Sequence, residues 1–269
     1  MNPLPTTAQA VAATVTLARQ LGLPAGQPRV IAEGYSVRVR LDPAPVVSRV
    51  FTLGQVLRHE PGPWLQREVE VVQYLAALGA PVVPAWEQPG PYLIHGLHIS
   101  LWTWVDQQPG TIGQAEFGAM LRDLHQALAG YPPPLPTLVG PLTDIETALA
   151  LSDHEVLHRA AAELVPLARS WPRRPLHGDA HTGNVMITGS GPRWIDFEDV
   201  CAGPVEWDFA SRTLTDEAVR AYGVELDQQR LADCRDLRRL QILAGVLTDD
   251  VQEATLYDEL VSTLASRGR

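Results

Sequence analysis

The 269-residue sequence contains no lysine, so all 21 of its basic residues are arginine. A P-loop needs a lysine on the nucleotide phosphates, and Schiff-base catalysis needs a lysine amine. The absence of lysine therefore excludes both of these chemistries.

Cysteine is scarce as well, since only Cys201 and Cys234 occur. Two lone cysteines in a chain of this length predict free thiols in a reducing cytoplasm rather than a disulfide framework. No run of about 18 apolar residues is present, which argues against a membrane-spanning helix. The first 20 residues lack the basic start and apolar stretch of a signal peptide. We therefore expect a cytoplasmic protein without a membrane partner.

A basic surface is also missing, because the formal net charge is −10 at pH 7. Proteins that bind nucleic acid usually carry a basic face, so a nucleic-acid partner is not expected. An acidic balance is compatible with a cationic small-molecule substrate, although it more often serves solubility.

Short Val-rich segments, broken by turn residues, predict antiparallel strands in the first part of the chain. A helix precedes them and a second helix, with apolar residues at helical spacing, interrupts them. The predicted strands are residues 29–32, 36–41, 46–53, 92–94 and 97–105, and the predicted helices are residues 8–23 and 64–78.

The pattern changes after residues 106–110, the predicted hinge. Helices are expected at residues 117–128 and 143–170 and from residue 215 to the end with a break near Gly223, and a short hairpin at residues 185–195. Segregated strands and helices predict an α+β protein in two lobes. We assign residues 1–105 to the first lobe and residues 106–269 to the second.

The stretch LHGDAHTGNVMITGSGPRWIDFED, residues 176–199, carries the candidate chemistry. In an antiparallel hairpin with its turn near Ser190, Asn184 is expected opposite Asp196. An amide oxygen and a carboxylate, completed by water and phosphate oxygens, suit Mg²⁺. Asp179, in the loop before, could then accept the proton of an incoming hydroxyl.

The pattern H-G-D-x₄-N followed by I-D-F-E resembles the aminoglycoside phosphotransferase family, relatives of the protein kinases. Residues 203–210, GPVEWDFA, are similar to the family's downstream G-x-P-x-x-D-L-A element, with proline one place early. The resemblance implies a bilobal protein-kinase-like fold, a nucleotide triphosphate donor (ATP or GTP), Mg²⁺ and a small hydroxyl-bearing acceptor. It also implies that residues 1–105 form the nucleotide-binding lobe and residues 106–269 the catalytic and acceptor-binding lobe. In this interpretation Asp179 is the base, and Asn184 and Asp196 bind the metal.

The resemblance implies further roles, each carried by a single position. Arg49 takes the basic third-strand position that holds phosphates, and Glu68 is its helix partner. Ser36 could hydrogen-bond a phosphate, in a loop 34–36 that has only one glycine. Residues 102–105 align with the strand that binds adenine through backbone groups, which points to Thr103 and Val105. His181 stands where protein kinases carry a lysine, so as imidazolium it could neutralise transition-state charge.

Other interpretations stay open. His177, Asp179 and His181 could form the metal cluster of a hydrolase. The missing lysine and thin glycine loop also allow a nucleotide-binding pseudokinase. A protein kinase is disfavoured because no A-P-E segment is present. Acidic residues near the C-terminus (Asp249, Asp250, Glu253, Asp258 and Glu259) could hold a cationic acceptor, but charged helix faces are usually only solvated. The sequence does not identify the acceptor.

Overall fold

The structure, a computed structural model, describes residues 5–34, 36–52, 58, 60–248 and 254–267. These residues form two compact units. Unit 1 lies within residues 1–55, 59–110 and 186–198, and unit 2 within residues 56–58, 111–185 and 199–269. The assignment of nucleotide binding to residues 1–105 and of catalysis to residues 106–269 stays a prediction.

Unit 1 is built on a five-stranded antiparallel sheet of order β1-β2-β3-β5-β4. Its residues alternate between two faces, as the pleat of a strand requires. Apolar side chains such as Val39, Val50 and Ile99 fill one face, whereas Arg38 and Arg49 lie on the other. The strands are β1 (Ala25–Ala32), β2 (Ser36–Pro43), β3 (Val46–Phe51), β4 (Tyr92–Ile94) and β5 (Leu97–Thr103).

Helix α1 (Thr7–Gln20) covers the apolar face of this sheet. It begins with a capping box, in which Thr6 Oγ1 accepts from Gln9 N and the Gln9 side chain accepts from Thr6 N. Helix α2 (Pro61–Ala77) carries Glu68. The predicted strand at residues 46–53 ends earlier, at Phe51, and Leu53 lies outside the described residues.

Strands β7 (Val185–Thr188) and β8 (Gly191–Trp194) form the predicted hairpin, but it is shorter than expected. Asn184 lies in a 3-10 helix (Thr182–Asn184), and Asp196 follows the end of β8 with a φ of 67°. Neither residue belongs to a strand, so the pairing rule used to set Asn184 opposite Asp196 does not apply to them.

Unit 2 is mostly helical, and its core is formed by apolar side chains of α4, α5, α8 and α9 with Trp207 and Leu176. The helices are α3 (Gln114–Leu128), α4 (Val139–Leu151), α5 (Glu155–Ser170), α6 (Val205–Asp208), α7 (Asp216–Tyr222), α8 (Gln228–Thr248) and α9 (Ala254–Ser266), and a two-stranded sheet joins β6 (Arg174–Leu176) to β9 (Cys201–Gly203).

The single helix predicted at residues 143–170 is wrong, because α4 and α5 are separate helices. Ser152 has extended backbone angles, which end α4, and α5 starts at Glu155. The predicted break near Gly223 is confirmed: this glycine ends α7 with a φ of 83°, a conformation that glycine adopts without steric cost. The α+β class with segregated strands and helices is also confirmed.

Among the residues that the structure describes, no helix combines the length and the apolarity needed to cross a membrane.

Candidate active site

In unit 1, Arg49 of β3 and Glu68 of α2 form a buried ion pair. Arg49 Nη1 lies 2.8 Å from Glu68 Oε1 and 2.7 Å from Oε2, and the two side chains are 7% and 1% exposed. Burial raises the pKa of Glu68 above its ordinary value, although the charge of Arg49 opposes that shift. A guanidinium stays protonated in proteins, so Arg49 is a fixed positive charge at this place.

Two further carboxylates surround the same guanidinium. Arg49 Nη2 lies 3.0 Å from Asp196 Oδ1 and also donates to Glu198. Burial opposes the charge on Arg49, but Glu68, Asp196 and Glu198 outweigh it and raise the pKa of Arg49 well above its ordinary value. Asp196 is shared, because Arg38 Nη2 lies 3.1 Å from its Oδ2.

A cavity of about 470 Å³ in unit 1 is within the usual size range of small-molecule sites, and its charged lining residues include Arg38, Arg49, Glu68 and Asp196. Apolar and aromatic side chains such as Val47, Trp102 and Phe197 form much of its wall, together with the charged groups just described. Of the residues predicted from the sequence to bind the nucleotide or metal, the cavity is lined by Arg49, Glu68, Thr103, Val105 and Asp196.

The other residue predicted to bind the nucleotide, Ser36, is placed differently. Its Oγ accepts from Arg49 Nε at 3.1 Å, its side chain is buried, and it is not among the residues that line the cavity. Ser36 therefore orients Arg49 in this structure. Tyr35 of the same loop lies outside the described residues.

In unit 2, the Asp179 carboxylate is surrounded by hydrogen-bond donors. Asn184 Nδ2 lies 2.8 Å from the Asp179 carbonyl oxygen and 3.2 Å from its Oδ2. Arg238 Nη1 lies 3.1 Å from Oδ1, and His181 Nε2 lies 3.5 Å from Oδ2. Because the Asn184 amide nitrogen serves Asp179, its Oδ1 is the atom suited to a metal ion.

The donors around Asp179 change its proton affinity. Burial alone would raise the pKa of its carboxyl group, but the His181 hydrogen bond and the charges of Arg238, His181 and His177 outweigh burial. They hold the pKa well below its usual range. Asp179 is consequently a carboxylate at every physiological pH.

Asp208 holds the loop that bears Asp179 in place through hydrogen bonds. Its Oδ2 accepts from His177 N at 2.8 Å and from His125 Nε2 at 2.9 Å, and its Oδ1 accepts from Gly178 N at 2.9 Å. All these groups are buried. Asp208 thus orders the loop through hydrogen bonds to its backbone.

Gly178 could not be replaced within this loop. Its φ is 89°, and a Cβ atom there would lie 1.9 Å from the carbonyl oxygen of Asp199. The tight approach lets both loop N–H groups reach Asp208, which accounts for glycine in the H-G-D motif.

The comparisons with known proteins agree with this geometry. The profile of the phosphotransferase enzyme family (APH) matches residues 28–243. The chain belongs to this family. No curated protein sequence matches it significantly. The predicted resemblance and the prediction of an enzyme of the phosphotransferase class are therefore confirmed.

Solved structures of kinases share the fold of this phosphotransferase. Choline kinase LicA from Streptococcus pneumoniae has a TM-score of 0.68 at 14% identity, over 95% of this chain and 99% of that one. Amicoumacin kinase hAmiN, solved with AMP-PNP, Ca²⁺ and Ami, has 0.67 at 14%, over 93% and 92%. Aminoglycoside phosphotransferase APH(3'')-Id from Streptomyces rimosus has 0.61 at 17%, over 86% and 98%. The predicted protein-kinase-like fold is confirmed.

The structure adds Arg238 of α8, which the sequence interpretation missed. Its Nη2 donates to the Gly178 carbonyl oxygen at 3.1 Å, and its guanidinium stacks 4.0 Å from the centre of the Trp207 ring. Residue 238 lies 59 positions after Asp179 and belongs to no part of the motif, so no local signal marked it.

Of the acidic C-terminal residues named from the sequence, Asp258 and Glu259 lie in the described part of the phosphotransferase. Glu259 pairs with Arg212 at 2.8 Å, and Asp258 is exposed. Farther back on α8, Asp233 and Asp236 pair with Arg267. Asp249, Asp250 and Glu253 lie outside the described residues.

The hydrolase alternative requires a metal cluster built on histidine. In residues 5–34, 36–52, 58, 60–248 and 254–267, no group of three or more His, Cys, Asp or Glu side chains could hold a metal ion. His181 Nδ1 instead accepts from Gly183 N at 3.0 Å. The oxygen atoms of Asn184 and Asp196 are hard ligands of the kind that Mg²⁺ prefers.

Proposed function

We propose that this phosphotransferase moves the γ-phosphoryl group of a nucleoside triphosphate to a hydroxyl of a small molecule. The observation that carries the proposal is the Asp179 carboxylate, fixed by Asn184 and Arg238 in a loop that Asp208 holds. A positioned carboxylate can orient an incoming hydroxyl and accept its proton. Transfer of a phosphoryl group through a loose transition state needs such positioning more than a strong base.

We propose that His181 assists the reaction from its place beside the Asp179 carboxylate. Its Nδ1 accepts from Gly183 N, so its Nε2 is the atom that carries a proton toward Asp179. As an imidazolium ion, whose Nδ1 is protonated and no longer accepts from Gly183 N, it would add positive charge where negative charge develops during transfer.

We propose that Asn184 Oδ1 and the Asp196 carboxylate bind Mg²⁺. Both atoms are hard oxygen ligands, and the Asn184 amide nitrogen is oriented by Asp179. When bound, the ion would supply positive charge that offsets part of the negative charge of the nucleotide phosphates. Arg49, oriented by Glu68 and Ser36, is the basic residue that we assign to the same phosphates.

We propose that the nucleotide base occupies the apolar part of the cavity in unit 1. The Thr103 N–H donates to Pro84 O at 3.0 Å and the Trp104 N–H to Pro45 O at 2.8 Å. Both groups are thus used within the protein, which favours the backbone of Val105 as the partner of the base. ATP is the proposed donor, and GTP is the alternative.

The acceptor is proposed to be an aminoglycoside, an amino sugar or an amino alcohol. The support is the shared fold with choline, amicoumacin and aminoglycoside kinases. We also propose a reducing, cytoplasmic location, because Cys201 and Cys234 are buried free thiols. Nucleotide binding is assigned to residues 1–105 and acceptor binding to residues 106–269.

The test is nucleoside diphosphate release from ATP or GTP with Mg²⁺, over choline, aminoglycosides and other amino alcohols, with phosphorylated product identified by mass. Asp179→Asn should lower kcat by about 10² or more and leave nucleotide affinity unchanged. The exposed Asp153→Asn is the matched control. Nucleotide binding without turnover of any acceptor would favour the pseudokinase instead, and near-normal turnover by Asp179→Asn would remove Asp179 as the base.

A further inference from the structure

The wall of the cavity in unit 1 contains two arginines that face each other on neighbouring strands. The register of the sheet pairs Arg38 of β2 directly with Arg49 of β3. Next to them, and on the same face, the register pairs Val47 with Trp102. The cavity is lined by both pairs, so its wall has a cationic row beside an apolar row.

Like charges directly opposite on adjacent strands destabilise a sheet. Here Asp196 lies between them and contacts Arg49 with Oδ1 and Arg38 with Oδ2. Two neighbouring guanidiniums in one cavity wall lower the stability of the fold. Their presence suggests that they bind an anionic ligand.

The two arginines differ in how many donors they have left. Every nitrogen of the Arg49 guanidinium contacts a protein oxygen: Nε contacts Ser36, Nη1 contacts Glu68, and Nη2 contacts Asp196 and Glu198. Within the described residues, Arg38 makes one side-chain ion pair, through Nη2 to Asp196. Its side chain is 35% exposed, against 7% for Arg49.

We propose that Arg38 is a phosphate-binding residue of the nucleotide site and makes most of the direct guanidinium contacts to the phosphates. Arg49 then supplies charge and holds the carboxylates in place. A guanidinium presents five donors in a planar fork that matches phosphate oxygens, which suits Arg38 to this role.

The exchange of partners at Arg38 would be easy. Its pair with Asp196 is partly exposed on both sides, at 35% and 23%, and such pairs are weak. Phosphate oxygens can therefore replace the carboxylate at Arg38 and leave Asp196 to its proposed metal. Replacing the contacts of Arg49 would instead break a buried ion pair. This inference rests on the proposed function, because it assumes that the cavity binds a nucleotide.

The test measures affinity by calorimetry for adenosine, AMP, ADP and ATP, with Mg²⁺ and with EDTA. Arg38→Gln should weaken ATP binding about tenfold and ADP binding less, and leave adenosine binding within about twofold, as expected for a lost charge-assisted hydrogen bond. The loss should persist in EDTA, because the proposed contact is to phosphate and not to the metal.

Arg40→Gln is the matched control, since it removes the same charge two residues along the same strand. Arg40 pairs with Asp42 and stacks 3.9 Å from the centre of the Trp104 ring. Any effect of this variant should be equal for adenosine and ATP. If Arg38→Gln does not fold, Arg38→Lys keeps the charge without the fork and should lose affinity only for phosphorylated ligands.

The outcomes separate this inference from the proposed function. Equal losses for adenosine and ATP would show that Arg38 only holds Asp196 in place, and an unchanged ATP affinity would show no phosphate contact. Either result overturns the inference and leaves the proposed function standing. A wild-type protein that binds none of these nucleotides, nor their guanosine counterparts, would overturn both.

Discussion

Each unit holds an arginine–carboxylate cluster among its candidate site residues, and these two clusters are built with opposite polarity. In unit 1 a cation, Arg49, is surrounded by acceptors from Ser36, Glu68 and two further carboxylates. In unit 2 an anion, Asp179, is surrounded by donors from Asn184, Arg238 and His181. The side chains of Arg49 and Glu68 are 7% and 1% exposed, whereas the Asp179 side chain is 39% exposed.

This difference in exposure predicts that one cluster contributes mainly to the stability of the fold and the other mainly to the reaction. A buried charge depends on its partners, since removal of one partner leaves the other uncompensated in a poorly polar environment. A partly exposed carboxylate retains water on one side and remains open to a substrate. We therefore expect substitutions at Arg49 to act mainly on folding, and substitutions around Asp179 to act mainly on turnover.

The largest effect should come from Arg49→Met. It leaves Glu68 buried without its cation, which costs about 3–5 kcal/mol of unfolding free energy in comparable buried pairs. Urea denaturation measures the change. Glu68→Gln should cost less, because Arg49 keeps Asp196 and Glu198 as partners. The double variant should be less destabilised than the sum of the singles, because neighbours in one network do not add.

Arg40→Met is the control for that measurement. Arg40 lies on the same face of the sheet, and its ion pair with Asp42 is partly exposed. The expected loss is about 1 kcal/mol or less. If Arg49→Met cost no more than Arg40→Met, the contrast between a buried and an exposed centre would be wrong.

Asp208→Asn should have an intermediate effect, about 1–3 kcal/mol at neutral pH. An amide can replace only one of the two accepting oxygens, so a donor among His177 N, Gly178 N and His125 Nε2 is left without an acceptor. Urea denaturation of both proteins over a pH series measures the difference, with Asp153→Asn as the exposed control.

The pH dependence of that difference has a defined sign. Burial opposes ionisation of Asp208, but the His125 hydrogen bond, the charges of His125 and His177 and the Gly178 N–H outweigh burial and lower its pKa. A lowered pKa contributes stability above the unfolded value of about 3.9 and loses it as pH falls toward the folded value. The gap between wild type and Asp208→Asn should shrink below about pH 4, and a gap that grows there would contradict this account.

The sequence predicts best where a motif confines several residues to one short segment. Asp179 and Asn184 meet because five positions of one loop separate them. Arg49 and Glu68 could be paired in advance only through the family resemblance, which assigns both positions. The role of Arg38 was missed. Alternation in a strand predicts which residues lie on the same face of the sheet, but it does not predict that Arg38 and Arg49 share Asp196 as a partner. Arg238 could not be found, because its contact depends on how α8 packs in unit 2.

The smallest effect should come from Arg238→Gln. This variant tests most directly the donor-rich centre, meaning the cluster of Asn184, Arg238 and His181 around Asp179. Arg238 touches Asp179 through Nη1 and the Gly178 carbonyl oxygen through Nη2, so it fixes both the carboxylate and the loop. The pair is partly exposed, at 16% and 39%, and such a pair is worth about 1 kcal/mol or less.

We therefore expect kcat to fall about fivefold while nucleotide KM stays unchanged, because Asp179 loses orientation and the nucleotide loses nothing. Arg238→Lys keeps the charge but lacks the planar guanidinium that reaches both Asp179 and the Gly178 carbonyl oxygen. Its kcat should therefore lie between those of the wild type and Arg238→Gln. Arg235→Gln, an exposed arginine one turn earlier on α8, controls for the change in net charge. A rise in nucleotide KM without a fall in kcat would mean that Arg238 does not act through Asp179, and the donor-rich centre would then consist of Asn184 and His181 alone.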